Sequence, residues 1–391
     1  MAQSSRPPPW RRRSSILLRV LAVIVGVMLL LLLFVRLRYG GGEPFPTRNT
    51  GKPKLDASAL EVVAELPLPP GNIAVSDKGR IFFTFHPEGH PTVKLAELVN
   101  REPKPWPSVE IQSERDGLWL DTPLGLRLDR QGRLWVLDNA NHGTGDAKLV
   151  AFDVKSGNVV REHHFTSSEA GLGSHLNDLA VHPNGDRVYI AEASIFGKTP
   201  ALLLYDLRTG KMRRLLNRHS SVSAEDYYIT VDGEPIEVAG LFAIRPGIDS
   251  IALDRTGDWL YFAAVTATKM YRIKTADLDD TSLTPEALAT RVEVFGEKTL
   301  SDGISSDEAG TLYLTDPEHN AIVTMRPALE TLISDARLRW PDGLSFGPDG
   351  YLYLTCSALQ HVIMKDADHI QSFAPYHIFR FVPGGRAVAG H

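Results

Sequence analysis

The sequence predicts an all-β fold, a six-bladed β-propeller, carried behind one N-terminal transmembrane helix. Three observations predict it. A strand–turn–strand unit with a glycine in its turn recurs six times, with turn glycines 53, 53, 72, 53 and 40 residues apart. Apolar and polar residues alternate inside the units, the period of a strand rather than a helix. A stretch near the N-terminus is apolar over a full bilayer thickness.

The N-terminal stretch comes first in the chain. Residues 16–35 read ILLRVLAVIVGVMLLLLLFV, with Arg19 the only charge. Twenty residues of helix span about 30 Å, the hydrocarbon thickness of a bilayer. Such a run is longer than the apolar region of a cleaved signal peptide, and no small-residue cleavage pattern follows it. Arg6, Arg11, Arg12, Arg13 and Arg19 precede Val20, whereas only Arg36 and Arg38 follow the run closely. The positive-inside rule therefore places residues 1–15 in the cytoplasm as a basic tail, 16–38 in the lipid bilayer as a signal anchor, and the body outside the cytoplasm. WRRRSSILL also resembles a twin-arginine export signal, which implies the same side. Residues 39–58 are rich in Gly, Pro and polar residues and read as a linker. The body is then 59–391.

The six units are GNIAVSDKGRIFFTF (71–85), LGLRLDRQGRLWVLD (124–138), NDLAVHPNGDRVYIAE (177–192), DSIALDRTGDWLYFAA (249–264), DGISSDEAGTLYLTD (302–316) and DGLSFGPDGYLYLTC (342–356). A period of about 40–50 residues in a strand-rich chain indicates propeller blades. Ring closure calls for one blade built from both chain ends, and ALEVVAEL (59–66) and HIFRFV (377–382) are the candidate strands. The 72-residue step holds YYITVDGEPIEV, read as an inserted hairpin turning at Asp232-Gly233. PALETLISDARL (327–338) reads as a short helix.

Hairpin geometry locates a site. The start of each first strand and the end of each second strand lie on one face, and the Gly turns lie on the other. First strands of blades line the central channel, so their starts are mouth positions: Gly71-Asn72, Leu124-Gly125, Asn177-Asp178, Asp249, Asp302 and Asp342. Oxygen donors converging on a channel mouth suit Ca²⁺ or another divalent cation, with Asn177, Asp249 and Asp302 the candidate metal ligands. They equally suit a small polar organic ligand, for which Asn72, Asp178 and Asp342 are candidate contacts. Asp and Asn also cap turns through their own backbone, and that reading stands beside the functional one. His175 lies two residues before Asn177 and is the candidate general base. Asn139 and His142, in the polar run 138–146, and Glu192, at a second-strand end, are candidate rim contacts.

Composition excludes several classes. The net charge is −5, but seven arginines and no acids precede residue 40, so the body carries about −12. A nucleic-acid binder needs a basic face. Cys356 is the one cysteine, which excludes an intramolecular disulfide and thiolate zinc sites. It lies in an apolar strand and reads as a buried thiol. No phosphate-binding glycine loop, nucleophile elbow or H-E-x-x-H helix is present.

The ordered set GLRLDRQGRLWVLDNANHG, RVYIAEAS with ALLLYDLRTGKMRRLL, GIDSIALDRTGDWLYFAAVTATKMYRIKTADL, SDGISSDEAGTLYLTDPEHNAI and RWPDGLSFGPDGYLYLTCSALQ resembles the yellow / major royal jelly protein family over roughly residues 60–382. The resemblance implies a six-bladed propeller, dopachrome-tautomerase-related, that binds small amines or aromatic molecules in its channel. If it is a tautomerase, His175 or a mouth carboxylate moves the proton. The chain departs from the animal members in having a single cysteine, hence none of their disulfides, and an anchor where they have a cleaved signal peptide. More distantly, SHLNDLAVHPNG and SDGISSDEAG look like the metal-site blades of the regucalcin / gluconolactonase propellers. That likeness implies a divalent-metal lactonase using Asn177 and either Asp249 or Asp302. Those enzymes carry a Glu at the first blade, where this chain has Gly71-Asn72. A non-catalytic interaction scaffold at the membrane is the third class.

Overall fold

The computed structural model describes residues 9–390 apart from 49, 239 and 389. Six four-stranded antiparallel sheets form the body. Their innermost strands are Pro70–Val75, Pro123–Leu128, Leu176–Val181, Ile248–Leu253, Ile304–Ser306 and Pro341–Phe346. Each touches the next around the axis, and the sixth touches the first. Each is followed by the second strand across the expected Gly turn, as at Gly79, Gly132 and Gly257, all at positive φ.

The ring closes as the chain ends predicted. Glu61–Leu66 pairs with Tyr376–Phe381, so the last blade takes its outer strand from the N-terminal side. Closure removes the two free edges that an open ring would expose. Between blades lie apolar layers, such as Trp135, Leu149, Leu179 and Leu203 between the second and third. Each fully buried side chain of this size contributes about 1.5–3 kcal/mol.

The inserted hairpin is present. Thr230–Val231 pairs with Glu234–Pro235 around Asp232 and Gly233, both at positive φ, as a two-residue turn requires. The expected helix at 327–338 is instead a strand, Leu329–Ser334, the outer strand of the fifth blade. A register shift against Ile322 and Val323 leaves Leu332 without a partner in the ladder. That bulge puts the apolar residues out of two-residue alternation, which is why their spacing mimics a helix.

The N-terminal helix runs Pro9–Tyr39, and Leu17–Tyr39 is long and apolar enough to cross a membrane. Of the basic tail read over 1–15, residues 1–8 lie outside the described residues, and 9–15 form the first turns of the helix. The segment read as a linker runs against the body. Glu43-Pro44 pairs in parallel with Tyr227-Tyr228, and Phe45 is buried beside Ile229, Val265 and Trp340. Further on, Leu55 N–H donates to Leu332 O at 2.8 Å.

Candidate functional site

The innermost strands deliver their first residues to one end of the channel. In five blades the ladder shifts register just there: between Pro70 and Ile73, Pro123 and Leu126, Leu176 and Leu179, Ile248 and Ser250, and Pro341 and Leu344. A bulge turns a side chain out of the sheet and frees backbone N–H groups. Threonines of the second strands take up several of these. Thr84 Oγ1 accepts from Asn72 N, Thr315 Oγ1 from Gly303 N and Thr355 Oγ1 from Gly343 N, at 2.8–3.1 Å. Glycine follows the mouth residue in three blades because neighbouring backbone lies there. A Cβ on Gly125 would overlap Asn177 O, one on Gly303 would overlap Asp342 O, and one on Gly343 would come within 2.8 Å of Asn72 Cα.

These devices open a cavity of about 290 Å³ on the mouth face. Asn72, Asn177, Asp249, Asp302 and Asp342 form its polar floor, and His86, His142 and His175 one side. Ile195, Phe196, Ile229, Val238, Phe242, Ile244, Trp340, Leu359, Ile363 and Met364 give it apolar walls.

The floor is a carboxylate cluster. Asn177 donates its amide N–H to Asp249 Oδ1, and Trp340 Nε1 donates to Asp302 Oδ2 at 2.6 Å. Asp249 and Asp302 act on each other, the pair interaction raising Asp249 and lowering Asp302. Burial, then the charge of Asp302, holds Asp249 well above the carboxylate range. Asp342 is raised well above it for the same two causes, and burial also raises Asp302. Lys298 lies buried near them, its Nζ donating to Val265 O at 2.9 Å and Thr299 O at 3.0 Å. Burial lowers its pKa to about 7, against the pull of Asp316, Glu225, Asp249 and Asp302.

Burial disfavours a charge on all three histidines. His142 Nδ1 and His175 Nδ1 lie 3.1 Å apart with the rings stacked, so one donates to the other. Burial first, and the neighbouring histidines second, lower His175 to about 3 and His86 to about 4.

Other expected contacts lie elsewhere. Asp178 lines the channel below the cavity, where Arg127 meets it at 3.3 Å and Asn72 Nδ2 donates to it at 3.2 Å. Glu192 is fully buried rather than at the rim. It accepts from Ser174 Oγ, His175 N and Arg214 NH2, which together hold the loop that carries His175. Asn139 is buried too, accepting from His142 N at 3.0 Å and so capping the turn that carries His142.

The sequence reading missed Arg127, Lys298, Trp340 and the walls from the insert. Arg127 was signalled by a lone cation inside an apolar first strand, and Trp340 by its place two residues before Asp342. Among the described residues, no three His, Cys, Asp or Glu side chains are disposed to hold a metal.

A family model described as "Major royal jelly protein" matches residues 122–374, more than half of the chain. Major royal jelly protein 1 of Apis mellifera is 26% identical over 186 residues, 44% of this chain. The match spans 41% of that relative's length. Among solved structures, the calcium-binding protein regucalcin from Agrobacterium tumefaciens superposes with a TM-score of 0.52 at 15% identity, covering 85% of this chain and 97% of that one. A putative gluconolactonase gives 0.53 at 12% identity, covering 84% and 93%. At such identities the likeness is one of fold.

Proposed function

The chain belongs to the major royal jelly protein family, and we propose that it is a membrane-anchored, extracytoplasmic propeller that binds a small molecule with a cationic amine head and an apolar, aromatic body. One observation carries this reading: Asp249, Asp302 and Asp342 converge on the floor of a single cavity with apolar walls. Burial disfavours the ionised form of all three carboxyls, so a cation beside them favours it. An ammonium group entering the floor supplies charge and donors together. The walls take the ring, with Trp340 and Phe242 available to stack. Should the ligand be turned over by tautomerisation, the proton is moved by the Asp249–Asp302 pair. His175, at about 3, is too weak a base near neutral pH. The test is calorimetric titration of the full chain in detergent with phenethylamine, its alcohol isostere and its carboxylic acid counterpart. The amine binds and the acid does not; an acid that binds as well as the amine overturns the reading.

The fold likeness to regucalcin and gluconolactonase supports a second reading, a divalent-metal lactonase. The donor types fit a hard cation, with Asn177, Asp249 and Asp302 able to hold it. When bound, such an ion polarises a lactone carbonyl. Asn72 stands where those proteins carry a carboxylate, and its amide and carbonyl are already bonded to Asp178 and Ile73 N. The discriminating measurement is thermal melting with Ca²⁺ and with EDTA. A ligand bound by the native state alone raises the melting point by mass action. A rise with Ca²⁺ that Asp302→Ala abolishes favours the metal enzyme, and no shift favours the amine site.

A further inference from the structure

The N-terminal helix ends on the cavity rim. Tyr39, its last residue, donates its hydroxyl to Phe196 O at 2.9 Å, and its ring lies 5.1 Å from Phe242. Phe196 stands 5.7 Å from Phe242 and 4.8 Å from His142, so one aromatic layer separates the helix end from the cavity. The joint is fixed. Arg36 NH1 donates to Gly240 O at 2.9 Å, and Arg245 NH2 caps the helix by donating to Tyr39 O and Gly40 O at 3.1 Å. Three residues on, Glu43 enters the strand pairing and Phe45 the core. No slack remains by which the body could stand away from the end of the helix.

The surroundings of that joint suit lipid. On the mouth face, Leu172, Met364 and Phe196 are 81%, 71% and 44% exposed. Beside Phe196 a second cavity, of about 240 Å³, is lined by Arg38, Lys198 and Arg245. Its two carboxylates are already engaged, Asp226 with Arg245 and Glu225 with Thr268. Arg38 and Lys198 face it without an acidic partner among the described residues, and burial beside Arg245 and Arg38 lowers Lys198 to about 8. A layer of headgroups is about 5–8 Å deep on each side of a bilayer. From Arg36 to Tyr39 the helix rises about 4.5 Å, so the rim contacts fall inside that layer.

We propose that the mouth face of the propeller is seated on the phospholipid surface, with Leu172, Phe196 and Met364 among the headgroups and a lipid phosphate in the cavity of Arg38, Lys198 and Arg245. The proposal stands independently of what the main cavity binds. Its test needs no ligand. Cys356 is buried, so single-cysteine variants report their own site. Leu172→Cys, Met364→Cys, Leu30→Cys in the helix and Asp77→Cys on the Gly-turn face carry an environment-sensitive fluorophore. The full chain is reconstituted in phosphatidylcholine–phosphatidylglycerol vesicles containing brominated lipid. The rim labels are quenched severalfold more than Asp77→Cys and approach Leu30→Cys. With Arg38→Gln and Lys198→Gln, enrichment of headgroup-labelled phosphatidylglycerol around the Met364→Cys label falls about fivefold per cation removed. Rim labels that stay aqueous while the Leu30→Cys label lies in lipid overturn the proposal, since the helix would then span with the body held off. A Leu30→Cys label in water overturns it also. Enrichment unchanged by the two Gln substitutions overturns the phosphate assignment.

Discussion

Replacing Asp249 by asparagine separates the titration of its carboxyl from the shape of the floor. The side chain is the same size, and each neighbour keeps a partner. The introduced carbonyl accepts from Asn177 as Asp249 Oδ1 does, and the introduced amide donates to Asp302. What changes is titration. The carboxyl of Asp249 ionises at 3.8 when unfolded and well above that when folded, through burial and then the charge of Asp302. Above pH 3.8 the native state therefore holds a proton that the unfolded state has lost. The associated stability is fully present below that value and falls as pH rises toward the folded pKa. Each pH unit costs up to about 1.4 kcal/mol for one extra proton held, until the pH passes the folded pKa. Asp249→Asn removes this site from the balance. Charges from Asp178, Asp342 and Lys298 persist in both proteins, as do the shifts of His86 and His175, and they largely cancel in the difference. The comparison stops at about pH 7 because Lys298 titrates there. The assay is urea unfolding of the full chain in detergent at stepped pH. The variant gains on the wild type as pH rises, with a slope approaching 1.4 kcal/mol per unit. Parallel curves would refute the reasoning, because Asp249 would then be ionised in the folded protein at every pH tested.

Two further substitutions address the channel below the floor and the packing around it. Arg127→Met strands Asp178 at low exposure and costs about 3–5 kcal/mol in urea unfolding at neutral pH. Adding Asp178→Asn recovers most of that loss, and a double variant no better than Arg127→Met alone would count against the ion pair as the cause. Gly303→Ala pushes a methyl into the carbonyl oxygen of Asp342 and costs about 3 kcal/mol, at the upper end for overpacking. Ala at Gly79, which has open space but a positive φ, costs less, about 1 kcal/mol; equal losses at the two sites would show that the axis is not tightly packed.

Most of the ring was legible in the sequence, and for a local reason. The blade signal is a Gly turn between two apolar strands, set by neighbours within about 15 residues. Even the closing strand declared itself, because Glu61–Leu66 and Tyr376–Phe381 had no other partner in the repeat pattern. The outer strand Leu329–Ser334 was misread because its bulge at Leu332 destroys the alternation that marks a strand. The floor was legible as positions, since parity of the hairpin puts first-strand starts on one face. The walls were not. Val238, Phe242 and Ile244 belong to an insertion whose pairs are two residues long, and their place depends on the tertiary contacts of Phe45 and Tyr39. Glu192 and Asn139 share the chemistry of ligand contacts. Only the structure shows their polar atoms already taken by Arg214, Ser174, Thr122 and His142.

The Asp-Gly pairs at Asp302-Gly303 and Asp342-Gly343 carry two demands at once. The glycine is required by packing, because the next blade's backbone passes where a Cβ would stand. The preceding aspartate is not required by packing. Its oxygens face a cavity rather than a turn, and Asp342 caps no backbone N–H among the described residues. A turn-capping account explains Asp129 and Asp307, which accept from backbone N–H groups four residues on and lie on the opposite face. It does not explain Asp249, Asp302 and Asp342. Three carboxylates raised in pKa by burial, and Asp249 and Asp342 also by the charge of Asp302, make the folded protein less stable at neutral pH than amides in the same places. That cost is the physical ground of the proposed cation site, and the amine series and the Ca²⁺ melts test it.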